Sequence, residues 1–121
     1  MSRHNRYIKL AINQAQQSTM TYRHGCVVVK GGRVLAKGFN SMRYSKVINN
    51  TLCSIHAEVA ALLSYDNLTN ATMYVVRINK NNKLMLSYPC KDCFSRISKA
   101  GIRKIVFSTD GNYAVIQLNL L

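Results

Sequence analysis

A chain of 121 residues with 48% apolar content is the length of one globular domain, spanning residues 1–121, and no apolar run in it approaches the roughly 20 residues of a membrane span. Seventeen Lys and Arg against four Asp and Glu give a net charge of +13. That much self-repulsion in a small domain points to a polyanionic partner, nucleic acid more than a mononucleotide, although a solvated basic surface also accounts for it. The opening Met1-Ser2-Arg3-His4-Asn5-Arg6 has no apolar segment behind it, so no secretory signal is expected. Four unevenly spaced cysteines, two of them in a C-x-x-C, favour metal binding over a disulfide framework and predict an intracellular setting, cytoplasm or nucleus.

Ser2 can cap a first helix over residues 2–17, where Ile8, Ala11, Ile12 and Ala15 form one apolar stripe. After a polar connector (18–25), residues 26–30 and 33–38 read as a β-hairpin around Gly31-Gly32. The unbroken Val27-Val28-Val29 suggests a central strand covered on both faces. Residues 41–54 show no period and are long for a connector, so a functional loop is expected there. A second helix is expected over 56–65 with Val59, Leu62 and Leu63 facing inward, then a strand over 72–79 and a polar turn at 80–83. Leu84-Met85-Leu86 leads to a third helix over 90–100, with Phe94 and Ile97 inside and Gly101 stopping it. A strand over 103–108 and an alternating run over 113–120 are joined by four residues, too few for a parallel crossover, so they must pair antiparallel. The order αββαβαββ predicts an α/β sandwich.

Two short motifs carry the chemistry. His56 and Glu58 lie two apart at a helix start, and Cys90 and Cys93 lie three apart just after Pro89, the only proline, on one face of a first helical turn. One imidazole and two thiolates suit Zn²⁺ and leave its fourth tetrahedral position open. Glu58, the only glutamate, is then free to handle the protons of a zinc-activated water. A competing arrangement is a closed structural site, because Cys53 and His56 form a C-x-x-H and could join Cys90 and Cys93. Cys26 reads as a small buried hydrophobe.

The H-x-E…P-C-x-x-C pattern resembles that of zinc nucleobase deaminases. From about residue 23 to 107 the sequence resembles the cytidine and deoxycytidylate deaminase superfamily, which includes tRNA adenosine deaminases and polynucleotide cytosine deaminases. The resemblance rests on Gly25-Cys26-Val27-Val28-Val29, Gly38-Phe39-Asn40, His56-Ala57-Glu58 and Pro89-Cys90-Lys91-Asp92-Cys93. It implies a three-layer α/β/α sandwich with a five-stranded mixed sheet. It also implies zinc on His56, Cys90 and Cys93, and Glu58 as acid/base. Asn40 would bind the target nucleotide's sugar or base, and the Ala57 N–H would read the base. His24 and Tyr88, beside matched positions, could stack on the base or simply pack. The histidine ligand resembles the deoxycytidylate, tRNA and polynucleotide branches, whereas the short turn between the last two strands resembles the free-cytidine branch.

The leading expectation is zinc-dependent hydrolytic deamination of cytosine in a nucleotide or in single-stranded DNA or RNA. Adenosine deamination in tRNA is the enzymatic alternative, and a zinc-stabilised nucleic-acid-binding module is the non-enzymatic one. Binding alone does not require Glu58. Arg23, Arg43, Lys46 and Lys91 are expected near the site mouth. The apolar C-terminal run could pack against a second copy, giving a homo-oligomer.

Overall fold

A computed structural model describes the backbone of residues 3–45 and 51–118, and the side chains of 3–42 and 55–118. The element order is α1 (Arg3–Ala15), β1 (Arg23–Lys30), β2 (Arg33–Phe39), β3 (Ser41–Ser45), β4 (Thr51–Ile55), α2 (Ala57–Leu63), β5 (Thr72–Ile78), β6 (Leu84–Met85), α3 (Lys91–Lys99), β7 (Lys104–Ser108) and β8 (Tyr113–Gln117). The main sheet runs β2-β1-β5-β7-β8, with the short β6 added to β5. Only β5 and β7 pair in parallel, and β8 folds back antiparallel on β7 as the four-residue turn required. The sheet is therefore mixed and the class α/β, as expected.

The apolar pattern builds the layers. Val27 and Val29 of β1 join Tyr7, Ile8, Ala11 and Ala15 of α1 in one buried cluster. Cys26 and Val28 point the other way, into a cluster with Ala57 and Ala61 of α2 and Ile97 of α3. β1 is thus buried on both faces, as its run of valines implied. The β1–β2 hairpin turns at Gly31 and Gly32, whose φ values of 59° and 78° lie in the left-handed region that a tight hairpin demands.

Several expectations are corrected. The strand expected to begin at Cys26 begins at Arg23, so His24 belongs to β1 rather than to a connector. The segment 41–54 is a separate two-stranded hairpin, β3 with β4, rather than a loop. Its sequence alternates too weakly to show. The Ser2 cap and the tip around Lys46 lie outside the described residues.

Helix α2 also differs. The residues it buries are Ala57, Glu58, Ala60 and Ala61, while Leu63 is 74% exposed. The cause is proximity to β2. A Cβ placed on Gly38 would come within 2.6 Å of the Ala61 nitrogen and 2.8 Å of the Ala60 Cβ. At that spacing only alanine-sized side chains fit directly between helix and strand, so Leu63 turns outward, while Leu62 packs half-buried against the core cluster as expected.

Candidate metal centre and active site

Helices α2 and α3 both begin at the carboxyl-terminal end of the parallel pair, where α/β sheets place their ligands. His56 is the N-cap of α2 and Cys90 the N-cap of α3, both with extended backbone. The Cys90 thiol accepts a hydrogen bond from the Cys93 N–H at 3.4 Å, so sulfur does here what a serine oxygen does at an ordinary cap. The two caps bring His56, Cys90 and Cys93 together with all three ligand atoms within 4.8 Å of one another. His56 Nδ1 lies 3.1 Å from Cys93 Sγ and 3.8 Å from Cys90 Sγ. Zinc with bonds of roughly 2.0–2.3 Å would hold such donors about 3.3–3.8 Å apart, so the donor set and its spacing fit that ion.

Glu58 sits on the first turn of α2, 6% exposed. Burial raises its pKa, while its backbone hydrogen bond, the nearby His56 and a hydrogen bond with Cys93 pull the other way. Burial also raises the Cys93 thiol far above its usual value, and the neighbouring Glu58 carboxylate adds to that effect. A site that holds the Glu58 carboxyl and the Cys93 thiol in so dry a setting is eased by a cation beside them, which is a second, chemical sign of fit. Cys26, fully buried behind them, is raised as well and is the packed hydrophobe expected of it.

A cavity of about 490 Å³ opens over these groups, lined by Met20, Thr21, Tyr22, His24, Asn40, His56, Ala57, Glu58, Ser87, Tyr88 and Cys90. Every expected site residue except the enclosed Cys93 is among them. Asn40 is buried, and its amide is engaged at both ends. Its Oδ1 accepts from the His24 N–H at 2.9 Å and its Nδ2 donates to the Tyr22 carbonyl at 2.6 Å. It therefore fixes the wall formed by residues 22–24 as well as facing the cavity. His24 stays neutral, its pKa lowered to about 4 by burial and then by the Arg77 and His56 charges, and its Nδ1 lies 3.5 Å from Ser87 Oγ. Tyr88 is 56% exposed, with its ring parallel to Phe94 (centroids 6.4 Å) and edge-on to Phe107 (5.2 Å).

One group expected at the mouth is engaged elsewhere. Arg23 donates to the Asn79 carbonyl at 2.6 Å and to Asn82 Oδ1 at 3.1 Å, so it holds the β5–β6 turn. Lys91 is exposed at the start of α3. The Arg43 side chain and Lys46 lie outside the described residues, as does the Cys53 side chain, although Cys53 itself falls on β4. Tyr22, Met20, Thr21 and Ser87 were not anticipated, because nothing in their local sequence departs from an ordinary polar connector.

The three-layer α/β/α arrangement, with one imidazole and two thiols at two helix starts beside a buried carboxyl, is the one that the resemblance to zinc nucleobase deaminases implied. The family described as the cytidine and deoxycytidylate deaminase zinc-binding region matches residues 1–109, and this chain belongs to it. A deoxycytidylate deaminase of Schizosaccharomyces pombe is 30% identical over 118 residues, covering 88% of this chain but 37% of that protein. The dCMP deaminase of cyanophage S-TIM5 superposes with a TM-score of 0.64 at 26% identity, over 88% of this chain and 84% of its own. The cytidine deaminase of Burkholderia pseudomallei shares the fold, with a TM-score of 0.69 at 20% identity over 97% and 93% of the two chains. Among the described residues no helix is long and apolar enough to cross a membrane.

Proposed function

We propose that this chain hydrolytically deaminates cytosine, exchanging the amino group at C4 for oxygen and releasing ammonia, on a nucleotide or a single-stranded nucleic acid. The observation that carries this reading is Glu58, a buried carboxyl on the floor of a 490 Å³ cavity beside the His56–Cys90–Cys93 group. A nucleic-acid-binding module would gain nothing from burying its single glutamate there, against the cost of desolvation. The dCMP deaminases among its relatives favour cytosine over adenine.

Zinc held by His56, Cys90 and Cys93 would supply an activated water and stabilise the negative charge that develops on oxygen. The rest is the protein's own work. Glu58 takes a proton from the attacking water and delivers it to the ring nitrogen N3, then takes the proton of the new C4 hydroxyl and passes it to the departing amine, so that ammonia leaves as the C4=O bond forms. Burial raises its proton affinity, which suits a group that must both accept and return a proton. Ala57 occupies the first helical position, where a backbone N–H has no helical partner and can face the base. Asn40 holds the 22–24 wall against the sugar, and neutral His24 offers an uncharged ring edge.

The test is ammonia release from dCMP, deoxycytidine, a single-cytosine oligonucleotide and tRNA, together with zinc content by mass spectrometry. One zinc per chain and turnover of a cytosine substrate are expected, and Cys53→Ala should keep both. Loss of zinc in Cys53→Ala would instead favour the closed four-ligand site, and turnover of tRNA adenosine alone would overturn the cytosine assignment.

A further inference from the structure

Strand β5 contains one charged residue. Its even-numbered side chains Tyr74, Val76 and Ile78 join the α1 cluster, while Met73 and Val75 join the cluster under α2 and α3. Arg77 follows Met73 and Val75 on that catalytic face. On β1 it is paired with His24, which lines the cavity, and on its other side with Met85 of β6. Paired residues in an antiparallel ladder project from the same face, so Arg77 and His24 stand side by side.

The side chain is half-buried, and its Nε is enclosed without a hydrogen-bond partner among the described residues. Its described neighbour is the Tyr22 ring, whose centroid lies 4.7 Å from the guanidinium carbon. A contact with the face of an arene uses no N–H, so it leaves the Nε–H without an acceptor. The only ion pair among the described residues is Asp92 with Arg96, on the exposed surface of α3. An enclosed cationic donor without an acceptor is costly, and an incoming anion relieves that cost through charge-assisted hydrogen bonds. Tyr22 lines the outer wall of the cavity and is fixed there by Asn40 through its carbonyl. The charge of Arg77 already reaches into the cavity, since it helps hold His24 neutral.

We propose that Arg77, capped by the Tyr22 ring, is the anion receptor of this site, binding the phosphate ester of the target nucleoside and so selecting phosphorylated substrates over free nucleosides. The inference rests on the function proposed above, and it names a specificity residue that no motif in the sequence singles out. A phosphate presents two acceptor oxygens that the planar fork of a guanidinium can meet bidentately and the point charge of an ammonium cannot.

The experiment uses zinc-loaded full-length protein, wild type, Arg77→Gln and Arg77→Lys. Calorimetry compares deoxyuridine with and without its 5′-phosphate, which needs no turnover. Wild type should bind the phosphorylated form on the order of 10–100-fold more tightly, as expected for a charge-assisted pair. Arg77→Gln should bring that ratio to near one, and Arg77→Lys should restore part of it. In turnover, Arg77→Gln should raise KM for dCMP or for the single-cytosine oligonucleotide by a larger factor than any change it makes in KM for deoxycytidine. A loss on dCMP assigns the phosphate to the target nucleotide's own ester, and a loss confined to the oligonucleotide would overturn that assignment. Equal losses for nucleoside and nucleotide would mark a merely structural arginine and overturn the proposal. So would wild-type protein that binds both forms of deoxyuridine alike, which decides the matter even if Arg77→Gln fails to fold. Absence of any cytosine turnover would sink the deamination reading, while the binding ratio would still decide on Arg77.

Discussion

Helices α1 and α2 lie on opposite faces of the sheet and are seated by the same device. Under α1 a Cβ on Gly25 would run into the backbone at Ala11 and Ala15, and under α2 a Cβ on Gly38 would meet the Ala61 nitrogen, the Ala60 Cβ and the Ala57 carbonyl within 2.9 Å. Both helices thus press on strands through a missing side chain. What differs is what rides on them. α1 carries Tyr7, Ile8, Ala11 and Ala15 into a cluster that holds none of the metal or acid/base residues. α2 carries His56 at its cap and Glu58 on its first turn, so a few tenths of an ångström at Gly38 are also a few tenths at the carboxyl proposed as the acid/base. The same contact is pure packing on one face and active-site geometry on the other.

The largest effect that bears on this contrast is chemical. Glu58→Gln should lower turnover by about 10²–10⁴-fold, the usual range for one acid/base group. It should keep its zinc and melt at or above the wild-type temperature, because a buried carboxyl is replaced by a neutral group of the same shape. Activity within threefold of wild type would remove Glu58 from the mechanism.

The two glycines come next, and they test the comparison directly. Gly25→Ala and Gly38→Ala each force a helix backbone away from its strand, an overpacking cost of about 1–3 kcal/mol. At about 4 °C per kcal/mol, both variants should melt some 4–12 °C lower. Gly25→Ala should retain full turnover per folded molecule at a temperature well below its midpoint. Gly38→Ala should lose roughly tenfold or more in kcat there, since misplacement by an ångström can cost 10²-fold. Equal activity in the two variants would show that the closeness of α2 is packing alone.

These contacts also explain what could be read in the sequence. H-x-E and P-C-x-x-C are local spacings, each confined to one helical turn, so the residues that converge were legible before any fold was known. The valine run and the four-residue final turn were legible for the same reason. The inward face of α2 was not. The rule that large apolar residues turn inward fails where Gly38 brings the helix too close for anything beyond alanine, and Leu63 gives way to Ala60 and Ala61, while Leu62 still packs half-buried against the core. The β3–β4 hairpin escaped because its alternation is blurred. Arg77 left one signal, a lone charge inside Thr-Met-Tyr-Val-Val-Arg-Ile, but its meaning depends on a cross-strand pairing with His24 that spans 53 positions.

The smallest effect concerns α3, which delivers the two cysteines without a close-contact glycine of its own. Its start is fixed by the Cys90 cap and by burial of Cys93 and Ile97. The Asp92–Arg96 pair at 3.2 Å decorates the outside, with the two side chains 57% and 76% exposed. Exposed i,i+4 pairs contribute about 0.3–0.5 kcal/mol, and a carboxylate in the first helical turn adds a further 0.3–1 kcal/mol at low salt. Asp92→Asn should therefore lower the midpoint by about 2–6 °C. Zinc content should stay at one per chain, and turnover should remain within about twofold. A larger loss, with zinc released, would mean that this surface pair, and not the sulfur cap, sets the position of the ligands on α3.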